Sequence, residues 1–255
     1  MKRTILLAVL LATPLAASAF AKNMYVPVAG VTPGSNGTFW RTDVRIYNPS
    51  SAQGIDVTLH FLPQGMDGTN IPGRVFHLGP RETLVLDNVV ATLAPHLTHA
   101  VGAIRIDSDT DQSYDFIASS RTYTGTGIAT RPGTYGQFVP ALEAADATRS
   151  AAVLHIAARP EVRTNLGVMN PGLEPVTVKF TLMGIDGQPF LGSLPLVVPP
   201  RSMQQWAMTD PSLFGGLYAA HATILMDATS PVFTWGSVID NDSGDAIFVR
   251  GVAPR

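Results

Sequence analysis

An all-β fold made of two tandem antiparallel β-sandwiches is what this sequence predicts, from three observations. Residues 41–49, RTDVRIYNP, return as 163–171, RTNLGVMNP, so one structural unit has been used twice. Short segments rich in Val, Ile and Thr alternate apolar and polar residues, the period of a half-buried strand. Between them lie the turns that 23 Gly and 20 Pro in 255 residues supply.

The repeat extends well past its anchor. The motifs are 163 − 41 = 122 residues apart, and the same order persists downstream. Val57-Thr58-Leu59-His60-Phe61 matches Val176-Thr177-Val178-Lys179-Phe180, Gly65-Met66-Asp67-Gly68 matches Gly184-Ile185-Asp186-Gly187, and Pro80-Arg81 matches Pro200-Arg201. Upstream, residues 25–29 align with 153–157, and near the end Phe138-Val139 aligns with Phe248-Val249. The duplication predicts a first sandwich over 22–142, a small polar linker over 143–150 (EAADATRS within it) and a second sandwich over 151–255. Each repeat is long enough to bury a core and fold largely on its own.

Residues 1–21 read as a targeting segment rather than part of the fold. Lys2-Arg3 supplies the basic start, 5–11 the apolar run, and Ala17-Ser18-Ala19 or Ala19-Phe20-Ala21 a small-residue cleavage site. Export to a periplasm or the cell exterior is the expectation. That run is too short for a stable span and no second one follows, so no membrane span is expected. The chain has no cysteine, which excludes disulfides, thiolate metal sites and a cysteine nucleophile. With 17 Lys and Arg against 19 Asp and Glu there is no electrostatic pull toward nucleic acid.

In order along the chain, 24–29 is a first strand and 31–39 (VTPGSNGTF) a turn-rich loop. In 40–47, Trp40, Val44 and Ile46 share one face while Arg41, Asp43 and Arg45 share the other. Asn48-Pro49 closes that strand, because a residue before proline stays extended and proline cannot donate to a ladder. In 55–62, Ile55, Val57, Leu59 and Phe61 point inward, and the second copy keeps Val176, Val178 and Phe180 there. Short strands follow at 74–78 and 83–86, one helical turn at 88–93, and further strands at 103–107, 115–123 and 137–141. About eight short strands at this spacing, with turn signals between, predict a sandwich of immunoglobulin-like type; a barrel is the alternative.

The segments RTDVRIYNP, GMDGT and ASSRTYTGTGIATRPGTYGQFVPAL resemble a tandem immunoglobulin-like β-sandwich repeat of exported bacterial proteins. The resemblance covers both halves, although the second lacks the GTYGQFVPAL ending and keeps Ile247-Phe248-Val249. It implies an exported, modular, non-catalytic protein, and brings no catalytic residues with it.

Candidate chemistry is sparse. Asp107, Asp109 and Asp111 have the alternate spacing that hard cations favour, but Gln112 and Ala118 stand where an EF-hand needs Gly and Glu. Asp240-Asn241-Asp242-Ser243-Gly244-Asp245 is a second acidic turn. Both read as solvated hairpin turns, and His96 and His99 as loop histidines without a third ligand. No Gly-x-Ser-x-Gly elbow, phosphate loop or dinucleotide glycine pattern is present. No metal, cofactor or catalytic residue is expected.

The informative feature is a difference between the copies. The offset falls from 128 to 122 across 31–39 and from 116 to 110 across 124–136, so each of those loops is longer in the first repeat. In an antiparallel sandwich every second connection lies at the same end, which gathers 31–39, 63–73, 88–102 and 124–136. Loops gathered at one end of a rigid sandwich carry binding function. The candidate binding residues are therefore Phe39, Trp40, His96, Tyr123, Arg131 and Tyr135. The function expected is a non-enzymatic exported module that binds a protein or glycan or builds a surface assembly. A two-domain periplasmic chaperone and a hydrolase using the long loops are the alternatives. If the acidic turns are only turns, chelator and added calcium leave the melting temperature unchanged; a rise of several degrees with calcium contradicts this.

Overall fold

The computed structural model describes residues 23–108, 116–126, 133–214 and 219–254. Residues 1–21, where the sequence predicts a targeting segment, Arg131 and most of the acidic turn at 107–111 lie outside the described residues. The fold is all-β.

The first repeat comprises β1 (Asn23–Pro33), β2 (Phe39–Tyr47), β3 (Ile55–Pro63), β4 (Arg74–Leu78), β5 (Thr83–Leu86), the short helix α1 (Val89–Leu93), β6 (Ala100–Ser108), β7 (Ile117–Gly125), β8 (Thr134–Pro140) and β9 (Leu142–Glu143). Strand β1 pairs with β6 along its length and passes to β2 at its end, where Val31 faces Arg41. It therefore joins two sheets, β4-β3-β6-β1 and β5-β2-β7-β8, which close on one core. All these pairs are antiparallel. The inward residues are those the alternation marks, including Val44 and Ile46 from β2 and Val57, Leu59 and Phe61 from β3.

The second repeat comprises β10 (Thr148–Ala158), β11 (Val162–Asn170), β12 (Val176–Met183), β13 (Pro189–Gly192), β14 (Leu196–Val198), β15 (Ser202–Ala207), the helical turn α2 (Pro211–Phe214), β16 (Ala219–Asp240) and β17 (Ala246–Arg250). Its pairing reproduces the first. Strand β16 is 22 residues long and takes the place of both β6 and β7. Its first part pairs with β10 and β12 and its last part with β11 and β17. Pro231 stands between the two paired parts, where a residue without an N–H interrupts no ladder bond.

The asparagine of each repeated Asn-Pro is fully buried and performs the same task twice. Asn48 Nδ2 donates to the carbonyls of Gln53, Leu78 and Gly79, and its Oδ1 accepts from Ser50 N. Asn170 Nδ2 donates to those of Glu174, Val198 and Pro199, and its Oδ1 accepts from Gly172 N. In each repeat this amide locks the turn after one strand to the end of another strand across the sandwich. The corner it locks is also repeated: Arg81 and Arg201 both adopt positive φ, 58° and 47°. Each donates its N–H to the turn, to Ser50 O and Gly172 O respectively, at 2.9 Å.

Residues 143–150 form no open linker. Leu142 and Glu143 pair with Tyr25 and Met24 along the free edge of β1, satisfying backbone groups that an edge leaves open. Residues 144–146 make a 3-10 turn in which Glu143 and Asp146 cap each other reciprocally, and Asp146 holds Arg250 at 2.8 Å. Nor do the repeats have separate cores. Met169, Met203, Phe233 and Trp235 of the second repeat belong to the hydrophobic cluster of the first, with Phe233 5.4 Å from the Tyr25 ring. The sheet β15-β11-β16-β17 is thus covered on both faces, one by its own sandwich and one by the first repeat. Burying those four side chains contributes on the order of 2 kcal/mol each, which couples the repeats.

Replacing Asn48 or Asn170 by alanine strips partners from three carbonyls, one of them buried, and from a backbone N–H. We expect each change to cost about 3 kcal/mol, read as a shift of the urea midpoint at unchanged slope. A cost below about 0.5 kcal/mol in both repeats contradicts the role assigned to them.

Candidate functional site

The outer face of sheet β15-β11-β16-β17 changes character along its length. On β11 the residues facing the first repeat run Arg163, Asn165, Gly167, Met169, from polar to apolar. At the apolar end the ring of Trp235 lies on Gly167, where a Cβ would stand 2.1 Å from it. At the polar end two adjoining recesses of about 400 and 820 Å3 open between the sheet and the first repeat. They share Val101, Asn165, Gln205 and Ala207 as lining, so they are two parts of one cleft.

The long connections of the first repeat form one wall. Pro33, Gly34 and Ser35 line the smaller recess, and Pro63, Gln64, Met66, Ile71, Leu93, His96, Leu97 and His99 the larger. Trp40 lines the smaller recess and packs with Ile239 and Ala246 of the second repeat. Its Nε1 donates to Thr38 Oγ1 at 3.0 Å. Gly34 is required beside it, since a Cβ there would come within 2.4 Å of that nitrogen. Phe39 meets the His99 ring edge-on at 6.2 Å and carries the Arg41 guanidinium 5.6 Å from its centroid.

Three of the candidate residues do not line the cleft: Phe39, which shares a strand face with Arg41, Tyr123 and Tyr135. Tyr123 shares a strand with Thr122, which lines the cleft, so by alternation its ring points to the opposite face. There Arg121 stacks 5.3 Å from it. Burial, and then the Asp43 carboxylate, push its phenol above the usual value, so it stays protonated at neutral pH. Tyr135 sits near the turn of the second repeat, 3.8 Å from where a Cβ on Gly244 would be. Arg131 lies outside the described residues.

The second wall was missed by reasoning from loops, because it is made of strands: Arg163 and Asn165 on β11, Gln205 on β15, Ser237 on β16. The sequence signal for it is that Arg163 and Asn165 stand polar on one face of a strand that continues as the apolar run Leu166-Gly167-Val168-Met169. At the base, Ser237 Oγ donates to Gln137 Oε1 at 3.0 Å, tying the repeats together. Arg163 donates to Asn241 Oδ1, which orients its guanidinium, and Asn241 Nδ2 in turn donates to Pro160 O at 2.8 Å. Among the described residues no carboxylate lies within ion-pair distance of Arg163. Burial lowers its pKa, yet a guanidinium remains charged at any physiological pH.

The acidic turn at 240–245 is occupied with itself. Asp240 Oδ1 accepts from the N–H of Asp242 and Ser243 and from the Ser243 hydroxyl, and the Ser243 bonds hold this carboxyl below its ordinary pKa. Among the described residues no group of three or more His, Cys, Asp or Glu is placed to share a metal, and no helix is long and apolar enough to cross a membrane.

No family model and no curated protein sequence matches the chain. Among solved structures, the crystal structure of Thermotoga maritima 1070 is similar at 14% identity and a TM-score of 0.38, over 43% of this chain and 97% of that one.

Proposed function

We propose that the protein is an exported, non-catalytic binding module whose ligand is an oligosaccharide held in the cleft between its two repeats. The observation that carries this reading is the lining of the cleft. Asn165, Gln205, Gln64 and Gln137 offer amides, each able to donate and accept, as a sugar hydroxyl also does. Thr32, Thr122, Ser35, Thr209 and Ser237 add hydroxyls, and Trp40, His96 and His99 add ring surface. A concave site of mixed rings and convergent polar groups, held by two rigid sheets rather than by loops alone, is pre-organised for such a ligand.

The charge balance narrows the ligand further. A partly desolvated guanidinium without a carboxylate partner costs free energy that an anionic ligand group recovers, and its planar fork suits a carboxylate. Sugars bearing a carboxylate, such as uronic acids, are the class this predicts. Export and the periplasm or cell exterior remain part of the proposal, resting on the N-terminal segment.

Titration of a panel of neutral and uronate-containing oligosaccharides, followed calorimetrically, tests the reading. Binding of the acidic members is expected to weaken about tenfold, or about 1.4 kcal/mol, in Arg163→Gln, with the neutral members unaffected. Asn165→Ala combined with Gln205→Ala is expected to abolish both. Binding that survives the double substitution, or no binding to any member of the panel, refutes the cleft as a saccharide site.

A further inference from the structure

The two repeats are fastened by a contact between a hairpin and a corner. Gly65 N of the first repeat donates to Met203 O of the second, and Gly68 N to Pro200 O, both at 3.0 Å. The approach is close enough that a Cβ on Gly68 would lie 2.0 Å from Arg201 O. Both partners are repeated parts. The hairpin Gly65-Met66-Asp67-Gly68 has its copy in Gly184-Ile185-Asp186-Gly187, and the corner Pro200-Arg201-Ser202-Met203 in Pro80-Arg81-Glu82-Thr83.

Only one of the two possible pairs forms within the chain. Were the repeats related by a local two-fold, the second hairpin would sit on the first corner just as the first sits on the second. Instead Ile185, at the tip of the second hairpin, is 97% exposed, and Arg81, Glu82 and Thr83 are exposed as well. The packing is head-to-tail, and it leaves a matching hairpin and corner unused at opposite ends of the molecule.

The surfaces beside these unused parts are apolar. Next to the free corner, Val85, Ile117 and Phe138 are 55%, 59% and 63% exposed on the outer face of β5-β2-β7-β8. Their counterparts in the second repeat are Gln205, Phe233 and Phe248, and Phe233 is buried under the first repeat. On the other side, Phe190 and Leu191, on the strand that leaves the 184–187 hairpin, are exposed with Ile185.

We propose that this protein associates with further copies of itself head to tail, the 184–187 hairpin of one molecule docking on the 80–83 corner of the next. Each intermolecular contact repeats the one inside the chain, a heterologous step that does not close as a two-fold dimer and extends as an open filament where its rotation closes no ring. The free hairpin now satisfies itself, Gly184 N to Gln188 O at 2.9 Å and Gly187 N to Gly184 O at 3.1 Å, with Gly187 at φ 77°. The docked hairpin instead has its positive φ, 74°, at Gly65. Docking exchanges one glycine turn for the other and turns the amides outward to the carbonyls of Thr83 and Pro80.

Sedimentation velocity of the purified chain over micromolar to millimolar concentrations tests this, with Ile185→Asp disabling the hairpin end and Val85→Glu the corner end. Both residues are exposed, and unchanged melting temperatures confirm that the variants fold. Wild type is expected to grow in mass with concentration without reaching a plateau, and each variant alone to stay monomeric. Mixed in equal amounts, the variants are expected to form a one-to-one dimer that grows no further, since each supplies the end that the other lacks. A wild type that stays monomeric, a mixture that stays monomeric, or a dimer that both single variants retain overturns the proposal.

Discussion

The arrangement of the molecule depends on a glycine and a tryptophan facing each other on adjacent strands. Gly167 lacks the Cβ that would collide with the Trp235 ring, and the ring therefore lies flat on β11, stacked against Phe248 at 6.1 Å. That flattened apolar surface, completed by Met169, Met203 and Phe233, is what the first repeat covers. The same positions in the first repeat are Arg45, Ser119, Tyr47, Thr83 and Ile117, a face that none of the described elements of the second repeat covers. One substitution pattern thus separates a buried sheet face from a free one, and makes two near-copies pack asymmetrically. The cleft opens where that apolar surface ends, and the unused hairpin and corner are the remainder of the same asymmetry.

Within each repeat, integrity rests on groups that the duplication marks. Thr42 Oγ1 accepts from Gly30 N at 2.9 Å and bonds Thr122 Oγ1, while Thr164 Oγ1 donates to Ala157 O at 2.6 Å. In both copies this threonine stitches the first strand to the second, and the asparagine six residues on stitches the far end. The arginine just before each threonine lies on the strand's other face and differs in role between the copies. Arg41 lies over Phe39, whereas Arg163 faces the cleft.

How far the sequence could be read follows from where information is local. Alternation placed β2 and β3 with their inward faces because one face is buried and the other is wet. It could not reveal that β11 is buried on both faces, because the covering surface comes from the other repeat. The segment 143–150 reads as a linker from its small polar residues, yet its first residues complete an edge of β1, a demand set by backbone groups and not by side chains. Trp40 and His96, beside and within the long loops grouped at one end, line the cleft. The opposite wall, Arg163, Asn165 and Gln205, comes from strands. Tyr123 points away from the cleft, since neighbours on a strand face opposite ways and Thr122 is the one that lines it. Gln137, just after the 124–136 loop, lines the cleft, and Arg131 lies outside the described residues.

Exchanging the covered face for its uncovered counterpart tests the central claim directly: Gly167→Arg with Trp235→Ser installs the residues that the first repeat carries. Calorimetry of the wild type is expected to show one transition whose calorimetric and van't Hoff enthalpies agree, because the repeats share a core. In the double variant two separate transitions are expected, one for each sandwich. A wild type that already unfolds in two steps, or a double variant that keeps one unshifted transition, contradicts the account.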